Sequence, residues 1–463
     1  MKHVDTKKAH DRHIIESTIH RYGALSRGEI HDLTHLHPSD ISRLVRELIV
    51  EGKLIEAGRG ESSRGRKQVL LSLNEEHGFV AGVGFDDESV LAGIMDLHYK
   101  MRSKIQEPTR LDAGAEGLIE QLLRCSKQAI HEAGVDPGSL RGIGVTGSGL
   151  IDSREGTVVM SSTINFLRHI TLRRVFEQEF GVPTLVENLS RAKALAERTL
   201  GAAAMAENMI YVEYGKTGIG AGIILDGKVL HGACSFAGEF GHTLMIEGGP
   251  ACRCGSFGCL EAIAGAAALE SRIRKAVREG STSQAMELAG GDADQITGWM
   301  VLEAAHNGDK TSLALVEQIA TYLALGLANL VNLFNPAVIV LDQRLSLAGP
   351  ALLDQIVKVV RRQALNHATQ NLRVCFGNLG IEGIVLGAGS MALERYFEIP
   401  ALKPPRFMVE AVTPPARRQN PLRRPGAGEV PRRTAPRPAS GSGTKREHPE
   451  LPAPPPAASQ RPL

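Results

Sequence analysis

The sequence predicts an α/β protein that is preceded by a helix-turn-helix unit and followed by a tail without a hydrophobic core. From Gly78 onward, apolar strand-like runs alternate with amphipathic helical stretches, which is typical of sheets covered by helices. Before them, a helix, turn, helix and two-strand pattern indicates a separate small unit. After about Pro400, Pro, Arg, Gly and Ser dominate the sequence. We therefore predict three segments, residues 1–74, 75–398 and 399–463.

Composition argues against a disulfide-stabilised or membrane-spanning protein. The 463 residues include six cysteines, and the span from Cys252 to Cys259 contains three of them, which is unlike a disulfide framework and favours a reducing compartment. The first residues lead into no apolar signal-peptide core, and no run of about 18 apolar residues predicts a membrane span. We expect a cytoplasmic protein that has no membrane partner.

Charge is distributed unevenly along the chain. Lys plus Arg outnumber Asp plus Glu by 13 to 10 in residues 1–74 and by 12 to 4 in residues 401–463, whereas residues 75–400 carry 28 against 37. A basic head and tail around an acidic middle predict that any contact with nucleic acid is made at the ends of the chain. We expect the tail to be a disordered, solvated extension, with nonspecific contact to DNA or a partner as the alternative.

The first segment has the order of elements expected of a winged helix-turn-helix. Ser26 is placed to cap a short helix, and a turn before Pro38 leads to a second helix that ends at Gly52. The predicted buried face of the second helix consists of Ile41, Leu44, Val45, Leu48 and Ile49. The stretch "LIEAGRGESSRGRKQVLLSLN" then alternates as two strands around a basic, glycine-rich loop. Such a unit lays its second helix in the major groove of DNA.

The residues expected to contact double-stranded DNA follow from this arrangement. The side chains outside the apolar face of the second helix, which can reach base edges and phosphates, are Ser39, Asp40, Ser42, Arg43 and Arg46. The candidates in the loop, where small residues and cations suit a minor groove, are Arg64, Gly65, Arg66 and Lys67. The alternatives are a hairpin with solvated charges and a winged helix that contacts only protein. Because one winged helix reads a half-site, DNA binding implies a homodimer or a higher homo-oligomer.

A metal-ligand pattern lies in the middle of the chain, in "GEFGHTLMIEGGPACRCGSFGCLE". His242, Cys252, Cys254 and Cys259 are spaced as H-x9-C-x-C-x4-C. One imidazole and three thiolates satisfy a tetrahedral zinc ion and leave no open position for catalysis, so we predict a structural Zn2+ site. A redox pair or free thiols is the competing interpretation, but the single residue between Cys252 and Cys254 differs from the C-x-x-C redox spacing.

The same stretch, continued to "CLEAIAG", is similar to the signature of the ROK family of bacterial repressors, uncharacterised open reading frames and sugar kinases. The chain resembles this family from about His13 to Phe397, and the preceding winged helix is the arrangement of its repressor branch. The resemblance implies a two-lobed, actin-like (ribonuclease H-like) domain and a structural zinc held by the four residues above. It also implies that sugar hydroxyls are contacted by Asn165, Asn188, Glu239, His242 and Glu261. The alternatives are that Asn188 caps the following helix and that Glu239 supports the zinc loop.

The resemblance also indicates that the chain is not an enzyme. Kinases of the family place their catalytic aspartate in an E-N-D-x-N motif, and the corresponding position here is Leu189, which cannot accept a proton. Their first phosphate loop is replaced by "GFDDESV", which contains Asp87 and Glu88, and their adenosine-side Gly-Gly is replaced by Asp342 and Gln343. The glycines of "YGKTGIGAGIILDG" are retained, but they serve tight backbone packing equally well.

These observations lead to one functional hypothesis and its alternatives. We predict a repressor of carbohydrate-metabolism genes that binds a DNA operator, carries a structural zinc and responds to a sugar or sugar phosphate bound between the lobes. The first alternative is a sugar kinase with a divergent active site. The second is a repressor controlled by a protein partner, and the third is a zinc-bound scaffold without either function.

Overall fold

The computed structural model describes residues 2–59, 68–216 and 218–399. The helices are α1 Lys2–Tyr22, α2 Arg27–Thr34, α3 Pro38–Val50, α4 Gly114–Glu132, α5 Leu172–Phe180, α6 Leu189–Thr199, α7 Leu260–Ala264, α8 Ala266–Arg278, α9 Gln284–Leu288, α10 Gly298–His306, α11 Lys310–Phe334, α12 Pro350–Gln363, α13 Asn366–Thr369 and α14 Gly383–Tyr396. The strands are β1 Leu25–Ser26, β2 Leu54–Arg59, β3 Val69–Leu73, β4 Phe79–Phe85, β5 Ser89–Asp96, β6 Met101–Pro108, β7 Leu140–Gly147, β8 Leu150–Asp152, β9 Thr157–Met160, β10 Arg168–Thr171, β11 Thr184–Asn188, β12 Met209–Tyr214, β13 Ile219–Leu225, β14 Lys228–Val229, β15 Val338–Leu341 and β16 Arg373–Phe376. The predicted loop contacts Arg64, Gly65, Arg66 and Lys67, and the predicted tail from residue 400, lie outside the described residues.

Helices α1 to α3 and the small sheet β1-β3-β2 follow the order of elements predicted for a winged helix-turn-helix. Ser26 and Glu29 make a reciprocal capping box, in which each side chain accepts the other's backbone N–H, and this fixes the start of α2. Pro38 is the first residue of α3, as predicted. The buried face of α3 is confirmed except at Ile49, which is only half-buried because it lies at the edge of that face.

The rest of the described chain forms two lobes whose five-stranded sheets have the same topology, and the first lobe also contains the antiparallel sheet β10-β9-β8. The first lobe has the strand order β11-β7-β4-β5-β6, and the second has the order β14-β13-β12-β15-β16. In each lobe three consecutive antiparallel strands are followed by two strands that join in parallel. This repeated arrangement confirms the two-lobed, ribonuclease H-like fold.

Helices α6 and α14 pack between the lobes at close range. A Cβ atom at Gly144 would lie 1.8 Å from the carbonyl oxygen of Ala388 in α14, and one at Gly222 would lie 2.3 Å from that of Ser190 in α6. Only glycine permits these backbones to approach so closely. Gly222 belongs to the glycine-rich hairpin of β12 and β13, so at this position the glycine has a packing role.

Helix α11 is long and apolar enough to cross a membrane by length and composition, although no such run was predicted from the sequence. In the fold, 56% of its most apolar window is buried. Most of its buried residues, among them Leu323 and Leu327, belong to the largest hydrophobic cluster, which lies in the second lobe. Burial in that cluster is the behaviour of a core helix.

The winged helix packs directly on the first lobe. Ile15 and Leu44 of the winged helix belong to the same hydrophobic cluster as Leu97 and Phe397 of the lobe. The hydroxyl of Ser17 donates a 2.8 Å hydrogen bond to the carbonyl of Phe397, so the end of the described chain is held against α1. The predicted boundary near residue 74 falls between β3 and β4, but it does not separate two hydrophobic cores.

Candidate functional site

A cavity of about 510 Å³ is lined by residues from both lobes. All five predicted sugar contacts line it, namely Asn165, Asn188, Glu239, His242 and Glu261. Its wall also contains the hydroxyls of Ser161 and Thr163 and the cations Arg168 and Arg253. Amide, carboxylate and hydroxyl groups around a cleft of this size suit a small polyol. The tertiary structure thus brings together residues that span almost a hundred positions of sequence.

Asn188 has a structural role in addition to lining the cavity. Its Oδ1 accepts hydrogen bonds from the backbone N–H groups of Ser190, at 2.9 Å, and Arg191, while its Nδ2 donates to the carbonyl of Gly149 at 2.9 Å. Asn188 therefore caps α6, which is the alternative considered from the sequence. The cap fixes the direction of the side chain along the cavity wall.

The two positions that depart from the kinase motif are both filled by buried side chains. Leu189 is 4% exposed and packs in an apolar cluster with Leu91 and Ile384. Arg191 is 1% exposed; it pairs with Glu187 at 2.6 Å and donates to the carbonyl of Ala237. No proton acceptor is present at either position, because one side chain is aliphatic and the other is a cation.

The predicted metal ligands converge on one point. The ligand atoms of His242, Cys252, Cys254 and Cys259 all lie within 4.8 Å of one another. The Sγ atoms of Cys254 and Cys259 are 3.8 Å apart, and the Nδ1 of His242 is 3.6 Å from the Sγ of Cys252. Tetrahedral zinc, with bonds of about 2.3 Å to sulfur and about 2.0 Å to nitrogen, requires separations of about 3.8 and 3.6 Å for such pairs. The donor set and its spacing fit zinc.

His242 offers different nitrogens to the metal cluster and to the cavity. Its Nδ1 faces the thiols, whereas its Nε2 lies 4.0 Å from Oε2 of Glu239, a residue of the cavity wall. Glu261 also lies between the cavity and the metal cluster. Its Oε2 accepts from the backbone N–H of Ile219, a cavity residue, and its Oε1 lies 3.9 Å from Cys252 Sγ. Burial raises the pKa of the carboxyl groups of Glu239 and Glu261. The loop that holds the cluster is therefore also a wall of the cavity.

A buried ion-pair network at one end of the cleft was missed by the sequence analysis. Lys193 of α6 lies 2.8 Å from Glu213 and 2.9 Å from Asp342, and the hydroxyl of Tyr211 donates to Asp342 at 2.7 Å. Burial lowers the pKa of Lys193, but the carboxylates of Asp342 and Glu213 more than offset this effect and leave the pKa raised. The signal in the sequence was Glu213, a charged residue within the otherwise apolar strand "MIYVEY".

Arg344 extends this network to the first lobe. Its guanidinium lies 3.1 Å from Glu88 and 3.6 Å from Asp86, which both follow β4 of the first lobe. In the second lobe it lies 3.7 Å from Asp342 and 3.9 Å from Glu213. The stretches that depart from the kinase phosphate loop and from its adenosine-side Gly-Gly are thus joined to each other by ion pairs.

The predicted DNA-contacting face of α3 is open to solvent for most of its residues. Ser39, Ser42, Arg43 and Arg46 are exposed, whereas Asp40 is half-buried. Asp40 pairs with Arg43 at 2.9 Å, and this hydrogen bond lowers the pKa of the Asp40 carboxyl group. To contact a DNA phosphate, Arg43 would have to exchange this partner. Arg46 makes no ion pair with the described residues.

Fold and site together define a two-lobed, ribonuclease H-like protein that carries a winged helix and a Cys/His cluster beside its interlobe cavity. The chain belongs to the ROK family, whose model matches residues 83–395. It is 30% identical over 376 residues to a xylose repressor of Caldicellulosiruptor bescii, which covers 81% of this chain and 93% of the relative. It is 29% identical to the DNA-binding transcriptional dual regulator NagC of Escherichia coli, over 80% of this chain and 89% of that protein.

Solved structures show the same fold. A ROK family transcriptional regulator, described as a homologue of the E. coli MLC protein, matches with a TM-score of 0.72 over 84% of this chain and 96% of its own, at 24% identity. A ROK family glucokinase from Streptomyces griseus, in complex with glucose and AMPPNP, matches with a TM-score of 0.60 over 68% of this chain and 99% of its own, at 29% identity. The regulator match includes more of this chain than the kinase match does.

Proposed function

We propose that this protein is a cytoplasmic transcriptional repressor of carbohydrate-metabolism genes whose effector, a sugar or sugar phosphate, binds in the interlobe cavity. The observation that carries the proposal is the presence, in one chain, of a winged helix with an open cationic helix face and a polar cavity of sugar size. A relative named as a xylose repressor and one named as a transcriptional dual regulator match over 81% and 80% of the chain. An oligomer, at least a homodimer, supplies two winged helices for two half-sites.

Zinc has a structural role in this proposal. Its four ligands would be His242 and the three clustered cysteines, which leaves no coordination position for a reacting molecule. When bound, the ion holds the loop whose residues Glu239, His242 and Glu261 line the cavity. The Nε2 of His242 remains able to hydrogen bond to a sugar hydroxyl or to Glu239, so the metal and effector roles of this side chain are compatible.

Phosphotransfer is excluded from the proposed function on two grounds. Leu189 provides no base for a sugar hydroxyl, and four carboxylates (Asp86, Glu88, Glu213 and Asp342) gather around Arg344 where the family resemblance places the nucleotide. A triphosphate would have to displace that arginine and would then face the carboxylates. The alternative of a divergent sugar kinase therefore has no base at the position of the family motif and has carboxylates where the family resemblance places the phosphates.

The test is fluorescence anisotropy with the zinc-loaded full chain on labelled duplexes tiled across its own upstream region. Salt is held fixed, because phosphate contacts make affinity strongly salt-dependent. We expect tight binding to one duplex and release of that duplex by one member of a panel of sugars and sugar phosphates. Equal and weak binding to every duplex, with or without ligand, would refute the repressor proposal, and tight binding that no sugar changes would favour control by a protein partner.

Two variants test which part of the molecule binds the operator and which part binds the sugar. Arg46→Ala on the exposed face of α3 is expected to weaken operator binding by about 5- to 100-fold, while Arg361→Ala on the exposed side of α12 leaves it unchanged. Asn165→Ala is expected to raise the sugar concentration needed for release without changing operator affinity in the absence of sugar. Asn307→Ala, at an exposed position away from the cavity lining, serves as its control.

A further inference from the structure

The network around Arg344 spans the same two lobes that the effector must contact. The residue lies in the short 3-10 helix Gln343–Ala348 of the second lobe, and its closest carboxylate partner, Glu88, lies in the first lobe. The predicted effector residues are divided in the same way, since Asn165 belongs to the first lobe and Glu261 to the second. A ligand that contacts both sets can bind only when the lobes stand close enough together.

We propose that Arg344 is a positioning residue that holds the lobes in the closed, effector-competent arrangement by pairing carboxylates of both lobes. Asp86 and Glu88 on one side and Glu213 and Asp342 on the other repel each other across the cleft unless a cation stands between them. Lys193 neutralises the second-lobe pair but makes no ion pair with the first lobe among the described residues. Among the described residues, the ionic link between these two carboxylate pairs therefore depends on Arg344, and His231 of the second lobe and Glu187 of the first make a separate contact at 2.8 Å.

The burial of the network makes this link effective. The side chains of Asp342, Asp86 and Glu213 are 2%, 7% and 8% exposed, and that of Arg344 is 21% exposed, so water screens their interactions only in part. The planar guanidinium offers several N–H groups in fixed directions, which allows it to face partners on both sides at once. A lysine at this position would keep the charge and lose that geometry.

Removing the Arg344 side chain should lower effector affinity, although this residue does not line the cavity. If the closed arrangement becomes less populated, the apparent dissociation constant rises by the inverse of the remaining closed fraction. For ion pairs of this exposure we expect Arg344→Gln to weaken sugar binding by about three- to tenfold. Arg344→Lys should recover part of the loss. This affinity effect rests on the proposed sugar site.

Small-angle X-ray scattering of the ligand-free full chain tests the link independently of any sugar. We expect a larger radius of gyration for Arg344→Gln than for the unmodified protein. Glu88→Gln removes the closest first-lobe partner at a more exposed position, 32% against 21%, so this variant should fold even if the arginine variant does not. Arg278→Gln is the control, because Arg278 pairs with Asp294 on the surface of the second lobe alone.

Calorimetric titration with the sugar that releases the operator completes the experiment as a double-mutant cycle. The Glu88→Gln and Arg344→Gln changes should be non-additive, because each removes the same interlobe pair. Trp299, the only tryptophan of the chain, has its ring centroid 5.2 Å from the Arg344 guanidinium. Its fluorescence in the Glu88→Gln variant therefore reports whether the guanidinium moves.

The outcomes separate the two proposals. If no sugar binds the unmodified protein, the proposed effector class fails, while the scattering comparison still decides the role of Arg344. If Arg344→Gln and Glu88→Gln scatter like the unmodified protein and bind the sugar equally well, Arg344 does not position the lobes. A lower melting temperature with unchanged scattering and affinity would likewise overturn the inference, since it would indicate a purely stabilising role.

Discussion

Acidification is expected to destabilise the junction between the winged helix and the first lobe through His20. The ring of His20 stacks on Phe397 with centroids 4.0 Å apart. Its Nδ1 donates to the carbonyl of Leu97 at 3.2 Å, and its Nε2 accepts from the hydroxyl of Tyr99 at 3.1 Å. A neutral imidazole with the proton on Nδ1 satisfies both bonds, whereas a protonated ring would have to reverse the bond to Tyr99 and would carry a charge in a largely buried position.

The magnitude follows from the difference between the folded and unfolded pKa of His20. Burial, partly opposed by the hydrogen bond to Leu97 and assisted by neighbouring His98, lowers the pKa from 6.5 to about 4. Between these values the unfolded chain binds a proton that the folded chain does not, so stability is intact above about pH 6.5 and falls as the pH decreases toward 4. From pH 7 to pH 5 this linkage amounts to at most about 2 kcal/mol of unfolding free energy.

The assay is urea denaturation of the full chain at pH 7 and pH 5, followed by far-ultraviolet circular dichroism. His20→Gln is the variant, because its amide can donate to Leu97 and accept from Tyr99 but does not titrate. We expect the unmodified protein to lose up to about 2 kcal/mol more than His20→Gln on acidification. His367→Gln, at an exposed position of α13, should behave like the unmodified protein. Equal losses in His20→Gln and the unmodified protein would refute this reasoning.

Three further changes test the buried network, the metal site and the absence of kinase chemistry. Lys193→Met should lower the free energy of unfolding by about 3–5 kcal/mol in urea denaturation, because it leaves buried carboxylates without their shared cation. Cys254→Ser should reduce the zinc content measured by elemental analysis, whereas Cys234→Ser, an exposed cysteine outside the cluster, should retain it. Leu189→Asp should show no ATP-dependent phosphorylation of glucose or xylose in a coupled assay, since the changed nucleotide loops remain. A stable Lys193→Met protein, equal zinc in both cysteine variants, or phosphorylation by Leu189→Asp would contradict the respective argument.

Local signals predicted those parts of the structure that depend on neighbours in sequence. The capping box at Ser26, the start of α3 at Pro38 and the strands β2 and β3 follow from side chains and backbone groups within a few residues. The extension of α1 back to Lys2 was not predicted, because the polar stretch before His13 lacks an apolar periodicity. Because this stretch has no clear local pattern, the start of α1 could not be placed from the sequence.

The residues of the candidate site also divide into those that the sequence predicted and those that it did not. The Cys/His cluster was recognisable because its residue types and spacing are specific, and the cavity residues were predicted only through the family resemblance. The ion-pair network was not predicted, since Lys193, Glu213 and Arg344 read as ordinary charged residues until the two sheets and α6 bring them together. Charge alone does not distinguish a solvated side chain from a buried one.

The sequence by itself indicated the helix-turn-helix pattern, the zinc-like donor set and a leucine, Leu189, where the family resemblance places the kinase aspartate, because each depends on residue identity and short-range spacing. Only the tertiary structure decided that Asn188 caps α6 while lining the cavity, that Arg191 is buried against Glu187, and that Arg344 joins the lobes. These features depend on contacts between elements far apart in the chain. Burial sets the strength of those contacts by removing water from charged groups, and burial is a property of the packed lobes.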